Sequence, residues 1–353
     1  MDFLKLHGIG LNLYVVKKDR LIDYYDLNKK EEVLLDKKIS DLNFSSLIYC
    51  SNNIITFKDR NNVHKLDLDG NIIWSREVVR NVAQISIDNE NSVWVLSTAF
   101  EDTSGSGYYQ NLYKLDFISG VVLKQIKLTT TTVRCIDCGN FVYLGYHNGR
   151  LDKYNLDGTL SMTATIGTYD FMSITGAKYG GTLYAVRNDV FGVVIYINTN
   201  LQLQGSAQVG NTSYYYNNLM CDEKYIYVGQ GITDVHKLDI ATKSIVWRHS
   251  ASFSSGTIGA ICLNKDKNEI CYTRTVSSET HKPGMVFLDN TTGNIIKSID
   301  LPSNYLRQNE SIFIDNNEIY ISYYSTKVGS VIGVFKSRRC YKFTEDIKIL
   351  RGV

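Results

Sequence analysis

Proline is nearly missing, with two in 353 residues, so neither proline-rich linkers nor a collagen-like chain fits. No excess of one charge exists either. Thirty-eight Lys and Arg against 36 Asp and Glu leave a net charge of +2, too small for the overall field to gather phosphate backbones or anionic lipid. No apolar run reaches the roughly 18 residues that a membrane-spanning helix needs. Met1 to Asp19 has no basic start and no sustained apolar core, being broken by Lys5, His7 and Asn12, so no signal peptide is read there. The protein is therefore expected in the cytoplasm at synthesis, without nucleic-acid binding or membrane insertion. Seven cysteines make an odd set, which argues for free thiols over a disulfide framework. Long stretches of helical apolar spacing are also missing.

What the chain does have is a repeat. An apolar third element recurs as Tyr25-Asp26-Leu27, His64-Lys65-Leu66-Asp67, Tyr113-Lys114-Leu115-Asp116, Asp152-Lys153-Tyr154-Asn155, Tyr196-Ile197-Asn198, His236-Lys237-Leu238-Asp239, Phe287-Leu288-Asp289 and Tyr341-Lys342-Phe343-Thr344. The copies lie roughly 45 residues apart, the period of a four-stranded propeller blade. Each follows a hairpin signal, such as Ile85-Ser86-Ile87-Asp88 leading to Val93-Trp94-Val95, or Met220-Cys221-Asp222 leading to Tyr225-Ile226-Tyr227. Asp or Asn at the first turn position can bond its own backbone, and β-branched or aromatic neighbours suit a pleated surface. Strands read as apolar on both faces because neighbouring sheets would cover each face. The expectation is all-β: one domain over residues 1–353, folded as a single eight-bladed propeller of four-stranded antiparallel blades. Asp346 to Leu350 would close the last blade. Seven blades are the alternative, because the last copy is the weakest and loops around Val331 to Phe335 are easily miscounted.

The turn after the third strand, as in Leu66-Asp67-Leu68-Asp69-Gly70 with Trp74, Leu115 to Gly120, Leu238-Asp239 to Lys243 with Trp247, and Leu288-Asp289 to Gly293, resembles the repeat of quinoprotein-like (PQQ-like) β-propellers. That resemblance implies a propeller, usually eight-bladed. Dehydrogenases of that family carry a vicinal Cys-Cys pair, a calcium site and a leader; this sequence has no Cys-Cys dipeptide, so the non-enzymatic branch is implied.

No constellation for catalysis, cofactor or metal binding stands out. Cys135-Ile136-Asp137-Cys138 has no second pair; Cys135 and Cys262 fall in a slot filled elsewhere by Ser86, Met220 and Phe313, and Cys221 in the next, filled by Ile87 and Ile136, which points to packing. The six histidines are scattered, and His64 and His236 share one third-strand slot, again a packing position. Asp67 with Asp69, and Asn155 with Asp157, lack the spacing of a calcium loop. Lys65, Lys114, Lys153 and Lys237 share another slot, where an acid or amide two residues on suggests local charge balance; a basic ring is the alternative.

Function is expected at the loops. Connections between second and third strands, and between successive sheets, leave one end of the assembly and include the long segments 99–110, 210–217, 276–284, 302–309 and 325–330. Asp102, Tyr108, Tyr109, Tyr169, Tyr214, Tyr215, Tyr216, His281, Tyr305 and Arg307 lie on or beside the loops of this end and form the expected partner-binding face. The expected role is a non-catalytic structural or protein-interaction module docking other subunits of a larger assembly. The Asn-, Lys- and Ile-rich, proline-poor wording resembles that of AT-rich bacteria and their phages, where propellers resembling this one serve in tails or tail-like particles; the resemblance implies a phage tail or baseplate component acting in host recognition, placed in a virion or tail-like particle. A carbohydrate or cell-surface glycan module using the loop tyrosines is the second reading, and a quinoprotein-type enzyme the third.

Overall fold

The computed structural model describes the backbone of residues 5–9, 12–17, 20–26, 31–40, 44–50, 53–58, 61–67, 71–78, 82–97, 100–101, 108–129, 132–168, 170–187, 192–209, 216–230, 234–250, 257–275, 284–300, 311–315, 318–325 and 329–339. Strands account for almost all of it. Sheet I holds β1 (Lys5–Ile9), β2 (Asn12–Lys17) and β3 (Arg20–Asp26), and β4 (Glu31–Ser40) follows. Sheet II is β5 (Phe44–Cys50), β6 (Asn53–Lys58), β7 (Asn62–Asp67) and β8 (Ile72–Glu77). Sheet III adds a short strand to the pattern: β9 (Val82–Ile87), β10 (Val93–Ser97), β11 (Phe100–Glu101), β12 (Tyr108–Leu115) and β13 (Val122–Thr129). Sheet IV is β14 (Val133–Cys138), β15 (Val142–Tyr146), β16 (Arg150–Tyr154) and β17 (Leu160–Thr165). Sheet V is β18 (Phe171–Thr175), β19 (Thr182–Arg187), β20 (Val193–Asn198) and β21 (Leu203–Gln208). Sheet VI is β22 (Tyr216–Cys221), β23 (Tyr225–Gln230), β24 (Asp234–Asp239) and β25 (Ile245–Ser250). Sheet VII is β26 (Thr257–Asn264), β27 (Glu269–Thr275), β28 (Gly284–Asp289) and β29 (Ile295–Asp300). Sheet VIII joins β30 (Ser311–Asp315), β31 (Glu318–Ser325) and β32 (Gly329–Arg339) to β4. All pairings are antiparallel.

The expectation of eight four-stranded blades, with seven as the alternative, does not hold. Among the described residues six sheets have four strands, sheet III has five and sheet I has three. The reason lies in β4. It follows β3 in the chain, where a fourth strand of sheet I belongs, but pairs with β32 from Ser40↔Ile332 to Glu31↔Arg339. The third strand of sheet VIII is β32, which contains Val331 to Phe335, so the eighth copy of the repeat was placed too late in the sequence. Tyr341 to Thr344 and Asp346 to Leu350 lie outside the described residues.

First strands stand side by side in a circuit: β5 packs on β9, β9 on β14, β14 on β18, β18 on β22, β22 on β26, β26 on β30, and β30 on β5. Between consecutive sheets lie separate apolar seams. Trp94, Leu96, Leu112, Val142, Leu144 and Tyr146 fill the one between III and IV, and Tyr184, Val194, Tyr196, Ile226, Val228 and Leu238 the one between V and VI. Strands such as β10 and β15 are buried at every position because each face meets a different seam. Each such fully buried side chain contributes roughly 1.5–3 kcal/mol relative to exposure.

Turn chemistry follows the sequence closely. Asp88 Oδ1 accepts from the Ser92 amide at 2.7 Å, while its Oδ2 takes the Trp94 indole at 2.8 Å; Asp222 does the same with the Tyr225 amide and the Tyr227 hydroxyl. At the third-to-fourth-strand turns, Asp116, Asp239 and Asp289 accept from the amide three residues on, at 2.7–2.8 Å. Gly120 and Gly293 complete two of these turns at φ of 69° and 73°, a region that favours glycine.

Candidate interaction faces

Several residues singled out in the sequence turn out to hold the sheets together. Lys65, Lys114, Lys153 and Lys237 each donate from a third strand to a backbone carbonyl in the corresponding turn of the next sheet. The acceptors are Phe117 at 3.1 Å, Leu156 at 2.7 Å, Thr199 at 2.9 Å and Asn290 at 2.6 Å. Aromatic faces support them, with Lys65 3.9 Å from the Phe117 ring centroid, Lys153 3.7 Å from Phe141 and Lys237 3.8 Å from Tyr225. Burial holds the Lys153 and Lys237 ammoniums below their ordinary pKa. Local charge balance with the acid two residues on is thus not the device, since Asp116 and Asp239 spend their carboxylates on their own turns. Trp74 and Trp247 donate to the same carbonyls as Lys65 and Lys237, at 3.0 and 2.9 Å, with their rings over Gly120 and Gly293. Sheet V has Tyr196 at the lysine slot, and there Lys243 reaches back from sheet VI to the Gln204 carbonyl at 2.8 Å.

The cysteines are packing groups. Cys135 lies in the seam between IV and V and Cys138 in the seam between III and IV, because residues three apart on a strand face opposite ways. They cannot share one metal ion. Burial raises both thiols and pushes Cys221 up to about 12. Cys135, Cys138, Cys221, Cys262 and Cys271 are free and buried, so a thiol reagent at pH 8 should modify these five only once denaturant is added. Rapid labelling of any of them in the native protein would contradict this packing.

At the long-loop end the structure describes part of the expected face. Tyr108 and Tyr109 begin β12, where they pair with Glu101 and Phe100 of β11, and Tyr216 begins β22. Tyr109 is half-buried, with the Lys127 ammonium 4.2 Å from its ring centroid. Asp102, Tyr169, Tyr214, Tyr215, His281, Tyr305 and Arg307 lie outside the described residues. The same end carries groups that sequence reasoning missed. Asp170, next to Tyr169, takes the His147 Nδ1 at 2.5 Å and the Arg134 Nε at 3.4 Å. Asp234, at the start of β24, takes the Arg248 Nη2 at 2.6 Å. Burial pushes the Asp234 carboxyl up, but hydrogen bonds from Arg248 and Ser250 outweigh it and hold the group below its ordinary value. In each pair the carboxylate is the more enclosed partner, 13% exposed for Asp170 and 2% for Asp234, whereas the guanidinium is about half exposed, 48% and 55%. Neither pair is close in sequence, so no local motif announces it.

The opposite end carries the hairpin turns. Between the hairpin turns of sheets VI and VII opens a groove of about 310 Å³, lined by Asp222, Glu223, Lys224, Tyr225, Leu263, Lys265, Asn268 and Asn290. Its polar floor is occupied internally: Asn290 receives Tyr227, Lys237 and Trp247, and donates to Asn268.

Antiparallel sheets set side by side in a circuit, each strand following the last outward, match a known architecture. The β-propeller domain of Cps50 (Swd1) from Myceliophteria thermophila superposes with a TM-score of 0.68 over 86% of this chain and 99% of that one, at 8% identity. The fold is a β-propeller. No protein-family profile matches the sequence, and no curated protein matches it. Among the described residues no helix is long and apolar enough to cross a membrane, and no group of three or more His, Cys, Asp or Glu could hold a metal ion.

Proposed function

We propose that this propeller is a non-catalytic protein-interaction module that docks a partner on its long-loop end. The observation that carries the reading is the pair of half-exposed guanidiniums, Arg134 and Arg248, each anchored on a carboxylate far more enclosed than itself. Arginine is favoured at the energetic centres of protein interfaces, and a side chain already held in place loses less freedom on binding. Their preferred partner is a protein surface offering carboxylates or backbone carbonyls. The long connections at this end can add contact area without disturbing the strand ladders.

The repeat-level reading, a PQQ-like propeller without the enzyme's cofactor, is supported by Trp74 and Trp247, each laid over a glycine of the next sheet. Neither the fold nor the comparisons carry the phage-tail reading, and the proposal stops at a protein partner. A glycan partner would use Tyr108, Tyr109 and Tyr216 instead of the arginines.

Charge reversal separates the two. Arg134→Glu with Arg248→Glu should weaken capture of a co-purifying partner at least tenfold while leaving glycan retention unchanged. Tyr108→Ala with Tyr216→Ala should do the opposite if a sugar is the ligand. Partner capture that survives the arginine reversal would refute the docking proposal.

A further inference from the structure

His236 occupies an awkward place. It is fully buried in the middle of β24, and among the described residues neither ring nitrogen has a hydrogen-bond partner. Its strand neighbour Val228 and the next residue on its face, Leu238, belong to the apolar seam between sheets V and VI, so alternation puts the imidazole in that seam. Corresponding slots in sheets V and VII hold Ile195 and Val286, which need no partner. A buried polar group without a partner costs stability and is retained at a position where an aliphatic side chain is the ready alternative.

We infer that the seam between sheets V and VI is an acid-sensitive joint of the propeller, loosened when His236 takes up a proton. An imidazolium has two donors to satisfy, and among the described residues neither ring nitrogen meets an acceptor as the seam stands. The charged groups around His236 are Asp234 on its own strand and Arg248, which stands opposite it on β25. Arg248 already claims the Asp234 carboxylate at 2.6 Å. On β22 the group nearest the seam is Cys221, and across it sheet V contributes Tyr184 and Tyr196. Burial raises all three to about 12, so none of them titrates in acid. His249, the other histidine of β25, faces the opposite seam, where it meets Tyr272 at 3.2 Å.

The direction follows from linkage. Burial, with Arg248 adding to it and Asp234 partly opposing, depresses His236 from an ordinary 6.5 to about 4. Above pH 6.5 both closed and opened seams hold a neutral ring, and the closed state keeps its full advantage. Between 6.5 and about 4 the opened state binds a proton that the closed state does not, so the advantage is lost as pH falls. Asp137, in the neighbouring seam, runs the other way. Burial raises its carboxyl to about 6 despite the Ala177 amide it accepts, and acid neutralises a buried charge there. The two effects oppose each other in global stability, so the joint must be read locally.

Amide hydrogen exchange of β20, β21, β24 and β25 at pH 7 and pH 4.5, corrected for intrinsic rates, reads it directly. In the wild type, protection across this seam should fall on the order of tens-fold more than in His236→Val. An equal acid response in both proteins would overturn the inference. So would a gain of protection in the wild type, which would mean that Asp234 captures the imidazolium. If His236→Val does not fold, an NMR titration of the wild-type ring decides: protonation in the closed state near pH 6.5 refutes the joint, and protonation only with seam opening supports it.

Discussion

Trp247→Ala should cost about 3–5 kcal/mol, the range for truncating a large buried aromatic side chain. The indole of Trp247 is 7% exposed, lies in the seam between VI and VII, and donates to the Asn290 carbonyl at 2.9 Å. Removing it takes away apolar burial, leaves a cavity beside Gly293, and leaves Lys237 to satisfy that carbonyl alone. A urea titration should show a lower midpoint with little change in slope, since the surface exposed on unfolding is nearly the same. Gly293→Ala approaches the same contact from the other side. An added Cβ would stand 2.7 Å from the Trp247 ring, at a φ of 73° that side chains rarely adopt, so this small substitution should also destabilise. Gly180→Ala is the control: its φ is 75°, yet the nearest atom to an added Cβ is 3.9 Å away, so only the backbone strain remains. A midpoint for Trp247→Ala within error of the wild type would show that the tryptophan is not part of the joint.

That joint also shows what was legible in the sequence. Lysine and tryptophan recur at a fixed distance along the chain, so the slot was visible. The acceptors, such as the backbone carbonyls of Phe117 and Asn290, carry no side-chain signature, and the acids that Lys114 does meet are Glu90 and Asp88, not the one two residues on. Hairpin turns were readable because Asp88 and Asp222 act on amides two to four residues away. The closure of sheet VIII was not, because β4 and β32 meet across almost the full length of the chain and any antiparallel partner of similar pattern would have looked as good. The same limit hid the long-loop clusters. Tyr169 stands out in the sequence for its ring, whereas the described chemistry belongs to Asp170 beside it, which holds Arg134 and His147 of the preceding sheet.

Asp152→Ala is expected to have the other largest effect, again about 3–5 kcal/mol, because it would strand a buried ionic network rather than open a cavity. Asp152 is fully buried in β16. Its Oδ1 accepts from Arg150 Nε and Thr163 Oγ1, both at 2.8 Å, and its Oδ2 from Arg150 Nη2 and the Tyr146 hydroxyl, both at 2.7 Å. Burial raises the Tyr146 hydroxyl, and the Asp152 charge raises it further, so it remains a donor at any physiological pH. Without the carboxylate, four hydrogen bonds from Arg150, Thr163 and Tyr146 lose their acceptor, and the Arg150 guanidinium loses its counter-charge. Sheet VI solves the corresponding place with the same two residue types exchanged: Asp234 stands where Arg150 does, and Arg248 lies opposite the slot that His236 fills. The pair is therefore required as a pair. Asp152→Val combined with Arg150→Val and Tyr146→Phe removes donors and acceptor together, and should recover a large part of what Asp152→Ala loses, as replacing whole buried ion pairs by apolar groups commonly does. Chemical denaturation of the two variants side by side tests this. If the triple variant is no more stable than Asp152→Ala, the cost lies in lost packing and not in unpaired polar groups.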